Sequence, residues 1–112
     1  MATGTIAIAA GYTPQLGQPL AFDITTDGLK GNQKARVQIM AYQAVTEDNP
    51  DGIVYGEARP AGEDFTPLGG GSSEWLTNGG SAECVATLYY WDFHPTQTFV
   101  PLADPITFSA AG

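Results

Sequence analysis

The sequence has few positive charges, one cysteine, one histidine and no long apolar run. Its 112 residues include 4 Lys and Arg against 12 Asp and Glu, which gives a formal net charge of −8. A surface of this sign repels phosphate, so we expect neither nucleic acid nor an anionic membrane as a partner. No segment approaches the roughly 20 apolar residues of a membrane span. A basic protein surface is a suitable partner, and the alternative is that the acidity only keeps the domain soluble.

Cys84 is the only cysteine, which excludes an intramolecular disulfide. Small secreted domains often depend on such bonds. The first six residues lack the basic stretch and following apolar run of a secretory signal peptide. We therefore expect the chain to be made and folded in a reducing cytoplasm.

The sequence also lacks the residue sets that catalysis and metal binding require. His94 is the only histidine, and no Gly-x-Ser-x-Gly motif is present. One His and one Cys do not supply the three or four ligands of a zinc site. Residues 47–52 lack the spacing of a calcium loop, and the glycines at 69–71 are not followed by the Lys of a phosphate loop. We predict no enzymatic activity, no cofactor and no metal.

Turn-forming and strand-forming residues are abundant instead. The chain contains 14 Gly and 8 Pro, spread among β-branched and aromatic residues, and no segment keeps a 3.6-residue apolar period. This pattern predicts one all-β domain over residues 1–112, a β-sandwich of about seven to nine short strands. An up-and-down barrel is the alternative, but the unequal loops favour a Greek key. The predicted strands cover residues 3–10, 20–26, 35–45, 53–58, 63–68, 72–76, 82–93, 97–102 and 106–110.

Two of these segments alternate clearly between apolar and polar positions. In 20–26, Leu20 and Ile24 point inward, and in 82–93 the inward residues include Cys84 and Leu88. Cys84 is therefore predicted to be a buried, inert thiol. Prolines interrupt the last strand, which predicts an edge position or a bulge.

The stretch GSAECVATLYYW, residues 80–91, resembles the penultimate strand of an immunoglobulin-like domain, in which a small residue or cysteine points inward and Ala follows two positions later. The residues from Ser72 to Gly80 resemble the strand and corner that lead into it. The chain departs from antibody domains because the partner cysteine is missing, Ala82 stands in place of the corner tyrosine, and the third strand carries Met40 and Tyr42 rather than the core tryptophan. Residues 72–93 are also similar to small immunoglobulin-like proteins encoded among the structural genes of tailed bacteriophages.

The resemblance implies that the strands over 35–45 and 82–93 are neighbours. Their outward faces would then form an apolar, aromatic patch of the kind that marks protein contacts. The alternative is that a crossing loop near residues 69–73 covers this surface. The patch consists of Met40, Tyr42, Val85, Tyr89 and Trp91.

Two functional hypotheses follow. The first is a free-standing, non-enzymatic structural or accessory module, expected to be a capsid decoration protein that docks on the assembled phage shell. Its partner would be the major capsid protein or another virion structural protein, with self-association on the shell, and its location the capsid surface after synthesis in the host cytoplasm. The alternative is a carbohydrate- or receptor-binding immunoglobulin-like module of a tail or surface protein, with Tyr89 and Trp91 as exposed stacking platforms.

Overall fold

The computed structural model describes residues 2–15, 18–42, 47, 52–62, 81–92 and 97–111, and all regular structure within these ranges is β. In chain order the strands are β1 (Thr3–Ile8), β2 (Phe22–Asp27), β3 (Arg36–Tyr42), β4 (Ile53–Pro60), β5 (Ser81–Asp92), β6 (Thr98–Pro101) and β7 (Ile106–Ala111). Each strand either lies inside a predicted segment or extends beyond it by at most two residues. The predicted strands over 63–68 and 72–76, the glycine run at 69–71 and His94 lie outside the described residues.

The strands form two antiparallel sheets. β1 and β2 make one, and the other has the order β4-β3-β5-β6, with β7 also paired to β5. β5 is 12 residues long. It pairs with β3 along one edge, while β7 and then β6 share its opposite edge. The predicted pairing of the strands over 35–45 and 82–93 is therefore confirmed.

The break in the last strand is also confirmed. Residues 102–105 separate β6 from β7; Pro101 is the last residue of β6, and Pro105 is the last residue of the gap. Leu102 lies in the break, where its N–H donates to the carbonyl oxygen of Leu88 at 2.8 Å. Its own carbonyl oxygen accepts from the N–H of Gly4 in β1 at 3.1 Å. The interruption thus supplies a main-chain link between the two sheets.

One apolar core lies between the sheets. Alternation places every second residue of β3 and β5 inward, and the predicted inward position of Cys84 is confirmed, with none of its surface exposed. Phe22 of β2 and Phe108 of β7 contact each other across the core, with ring centroids 6.3 Å apart. The arrangement is all-β and sandwich-like. The buried core cluster comprises Ile6, Val37, Ile39, Ala41, Cys84, Ala86, Leu88, Leu102 and Ala110.

Candidate functional site

The outward face of the larger sheet is built from cross-strand pairs. The register of β3 and β5 sets Arg36 opposite Tyr89 and Met40 opposite Val85. On the other edge of β5, Trp91 faces Phe99 of β6. Directly opposed residues of an antiparallel pair have Cβ atoms about 4.5–5.5 Å apart. The pairing therefore brings side chains from three strands into contact on this face.

The structure corrects one member of the predicted patch. Met40, Tyr42, Val85 and Trp91 are half-buried, but Tyr89 is only 3% exposed. The expectation that Tyr89 is an exposed stacking platform is wrong. Its ring lies on the outward side of β5, yet neighbouring rings cover it.

Phe99 is one of the rings that cover Tyr89, and the sequence analysis did not include it in the patch. Its ring stacks on Tyr89 with centroids 4.3 Å apart and an interplanar angle of 27°. Phe99 itself is 37% exposed, which makes it one of the two large apolar side chains classed as exposed in the described part of the chain. The signal that could have found it was the antiparallel pairing of the last strand with 82–93, which places Phe99 beside Trp91.

Tyr89, Trp91 and Phe99 together form what we call the aromatic cluster. Trp91 meets Tyr89 edge-on at 5.7 Å and 88°, and meets Phe99 at 5.7 Å and 75°. Edge-to-face and offset-stacked pairs are each worth about 0.5–1.5 kcal/mol beyond the area they bury. The cluster is therefore a second, small packed unit on the outside of the sheet.

Arg36 fixes one side of the cluster. Its Nε donates to the hydroxyl oxygen of Tyr89 at 3.3 Å, and its Nη2 donates to the carbonyl oxygen of Ala58 at 3.3 Å. Both acceptors are neutral, so these contacts orient the guanidinium without cancelling its charge. A cation thus borders an aromatic surface on a chain that is strongly acidic overall.

A polar row divides the predicted patch. Gln38 and Thr87 face each other between the Arg36–Tyr89 pair and the Met40–Val85 pair. Beyond Val85, the Oγ of Ser109 donates to a carboxylate oxygen of Glu83 at 2.6 Å, and Glu83 lies opposite Tyr42. The apolar surface therefore consists of two separate areas, the aromatic cluster and the group of Met40, Tyr42 and Val85.

Two clefts lie at the start of β3, and the smaller one reaches the aromatic cluster at Trp91. The smaller one, of about 210 Å³, is lined by Asn32, Lys34, Arg36 and Trp91. The larger one, of about 470 Å³, shares two cationic residues with it. Its lining consists of Thr26, Leu29, Gln33, Lys34, Ala35, Arg36, Pro60 and Ala61.

Cys84 contributes no reactive group to this surface. Burial, and secondarily the negative charge of Glu83, raise the pKa of its thiol to about 11. The described residues contain no cluster of three or more His, Cys, Asp and Glu side chains placed to hold a metal ion. Nor do they include a helix with the length and apolar character needed to cross a membrane. Most of the acidic turn at 47–52 lies outside the described residues.

Comparison of the chain with protein-family models, curated proteins and solved structures gives no match in any of the three. The candidate site is accordingly defined by geometry alone. It consists of the aromatic cluster, Arg36 and the two adjoining clefts.

Proposed function

We propose that this chain is a non-enzymatic accessory module that decorates an assembled bacteriophage shell. Its partner in this proposal is the major capsid protein or another virion structural protein. It would be made in the host cytoplasm and located at the capsid surface. The observation that carries the proposal is the aromatic cluster, whose outermost ring, Phe99, is exposed on a sheet face where solvent-facing positions are ordinarily polar.

We also propose that the sandwich is an immunoglobulin-like Greek key. The position of β5 between β3 and β7 supports this, because strands far apart in sequence become neighbours by a crossover. The stretch that resembles the penultimate immunoglobulin-like strand forms β5, with Cys84 and Ala86 in the core.

The composition of the cluster suits a protein contact. Aromatic residues and Arg are enriched in protein interfaces, and they are also the residue types that most often dominate binding energy. A shell offers many copies of its binding site at high local density, so a modest contact is sufficient when the docked copies also contact one another.

The exposed ring of Phe99 also favours the second function, binding of a carbohydrate by stacking. In that version Phe99 and Trp91 are the platform, and Tyr89 is the ring that supports them from below. A sugar ring would then bind to the same surface that the first function assigns to a capsid protein.

The test uses a matched pair of substitutions, Phe99→Gln and Tyr12→Gln. Tyr12 is 40% exposed and lies outside all seven strands, so it controls for the loss of an exposed ring. Both variants are first shown to fold by thermal melts. Each is then added to shells purified from a phage whose copy of this gene has been deleted, and copies per particle are counted.

We expect Tyr12→Gln to occupy the shell like the wild type and Phe99→Gln to bind at least about tenfold more weakly, the effect of losing roughly 1.4 kcal/mol at a central contact. Full occupancy by folded Phe99→Gln contradicts the role of the cluster. A wild-type chain that does not bind shells contradicts decoration itself, and saturable binding on a glycan array would then support the second function.

A further inference from the structure

We infer that the two clefts around Lys34 and Arg36 bind a carboxylate-rich peptide segment of a protein partner. The inference rests on the proposed function for the class of partner, a protein, and adds the chemistry by which that partner is recognised. The smaller cleft adjoins the aromatic cluster through Trp91, and the larger one shares Lys34 and Arg36 with it.

The charge distribution provides the first argument. The net charge of the chain is −8, yet three of its four cations, Lys30, Lys34 and Arg36, fall within seven consecutive residues. Within the described part of the chain, no carboxylate lies within ion-pair distance of Lys34, and Arg36 donates only to neutral oxygens. The fourth cation differs, because the Nε of Arg59 lies 2.5 Å from a carboxylate oxygen of Glu57. Among the residues that the structure describes, no carboxylate therefore neutralises these two cations, and their charge can attract an external anion.

The size of the smaller cleft limits what it can bind. Sites for whole small molecules usually have about 300–1,000 Å³, so a cleft of about 210 Å³ suits one side chain rather than a free metabolite. The larger cleft, of about 470 Å³, adds apolar wall from Leu29 and Pro60 beside the same cations. A segment that carries both acidic and apolar side chains therefore matches the two kinds of lining.

The acidic residues around the clefts favour a short acidic peptide segment over a long polyanion as the ligand. Asp27 ends β2 three residues before Lys30, and Asp92 directly follows Trp91 in β5. Electrostatic interactions are screened over about 8 Å at physiological ionic strength, so a short acidic segment experiences mainly the local cations. A nucleic acid would extend beyond the clefts and meet the repulsive remainder of the surface.

The first experiment is a nuclear magnetic resonance titration of the ¹⁵N-labelled full chain. The probe is a capped hexapeptide of alternating Glu and Leu, and its control replaces each Glu with Gln. The indole N–H of Trp91, assigned by substitution, reports on the smaller cleft. We expect a saturable shift with the Glu peptide and binding at least about tenfold weaker with the Gln peptide, because two charge-assisted hydrogen bonds are lost.

The second experiment compares Lys34→Gln with Lys30→Gln, which change the net charge equally. Lys30 lines neither cleft. We expect Lys34→Gln to weaken binding of the Glu peptide by about three- to tenfold and Lys30→Gln by less than about twofold. Equal binding of the two peptides, equal effects of the two variants, or saturable binding of a short oligonucleotide at least as tight as that of the Glu peptide would overturn the inference.

These results are separable from the shell-binding test. The titration uses no shell, and Phe99 lines neither cleft. A chain that binds the Glu peptide through Lys34 but does not bind shells would retain this site and lose the proposed function. A chain that binds shells through Phe99 with no preference for the Glu peptide would retain the function and lose the site.

Discussion

Burial in the core changes the acidity of one group, the thiol of Cys84. None of its surface is exposed, and its register partners are Ala41 on β3 and Phe108 on β7. A thiolate at this position would have no water to hydrate its charge, and the nearby carboxylate of Glu83 would repel that charge. The pKa of the thiol therefore rises to about 11. The thiol is therefore protonated and inert at neutral pH.

A raised pKa in the folded state makes stability depend on alkaline pH. The unfolded thiol titrates near 9.0 and the folded thiol near 11. The contribution of the protonated thiol to the free energy of unfolding is therefore complete below pH 9 and is lost as pH rises through 11. We expect the free energy of unfolding in urea to fall more steeply over this interval for the wild type than for Cys84→Ala. Parallel curves for the two proteins would show that the thiol titrates normally.

Tyr89 provides a second test at the residue scale. Its buried ring predicts that Tyr89→Ala costs about 3–5 kcal/mol, the usual range for truncating a buried aromatic residue. Tyr89→Phe keeps the stacking and loses only the 3.3 Å hydrogen bond from Arg36, so we expect a cost of about 1 kcal/mol or less. Urea melts of both variants measure the difference, and a small effect of Tyr89→Ala would show that the ring is exposed.

The sequence predicted which side of β5 Tyr89 occupies but not its burial. Alternation depends only on the neighbouring residues, and it correctly separated Cys84 and Leu88 from Tyr89 and Trp91. Burial of Tyr89 depends on Phe99 from the next strand and Arg36 from a strand more than 50 residues earlier. Such long-range contacts leave no periodic trace in the chain.

At the scale of the elements, β1 approaches the break between β6 and β7 closely at Gly4. A Cβ at Gly4 would lie 2.8 Å from Cδ2 of Leu88 and 2.9 Å from the carbonyl oxygen of Thr25. Both distances are too short for a carbon contact, and the second partner is main chain that cannot rotate away. A glycine is therefore required where the two sheets meet.

Gly4→Ala is expected to destabilise the chain by about 1–3 kcal/mol, because the added methyl group forces β1 away from Leu102 and β2. Gly31→Ala is the control, since nothing lies within 4 Å of a Cβ at that position. Its effect should stay within about 0.5 kcal/mol. Thermal and urea melts compare the two, and equal effects would contradict the close approach.

The strands themselves were predictable from local patterns, whereas of their pairings only that of β3 with β5 was expected, and that expectation came from the resemblance rather than from local pattern. Runs of strand-forming residues bounded by Gly and Pro located β1 to β5 to within a few residues. Pro101 and Pro105 correctly marked the break in the last strand. The separation of β1 and β2 into their own sheet has no such local signal. Which edges pair is decided by burial of a shared core, and that is a property of the complete fold.

At the scale of the whole molecule, unbalanced charge is the dominant feature. With 12 acidic and 4 basic residues, most carboxylates have no cation to pair with, and their mutual repulsion opposes compaction. Salt screens this repulsion. We expect the melting temperature at pH 7 to rise when sodium chloride increases from about 0.01 M to about 0.5 M, where the Debye length falls from about 30 Å to only a few ångströms.

Measuring the melting temperature over the same range of sodium chloride near pH 4.5 is the control, because the net charge is much smaller close to the sequence pI of about 4.1. The salt-dependent rise should shrink there. A rise of equal size at both pH values would show that salt acts by strengthening apolar burial rather than by screening charge.

The support that Tyr89 gives to Phe99 has a kinetic consequence for any partner. Tyr89 below and Trp91 at the side hold the exposed ring of Phe99 in one orientation before an encounter takes place. Arg36 in turn holds Tyr89 in place through the hydrogen bond to its hydroxyl. Association then requires little further loss of side-chain rotamer freedom, which otherwise costs about 0.5–1.5 kcal/mol for each immobilised side chain. Loosening the support, as in Tyr89→Ala, should therefore shorten the lifetime of the complex even though Tyr89 itself offers almost no surface to the partner.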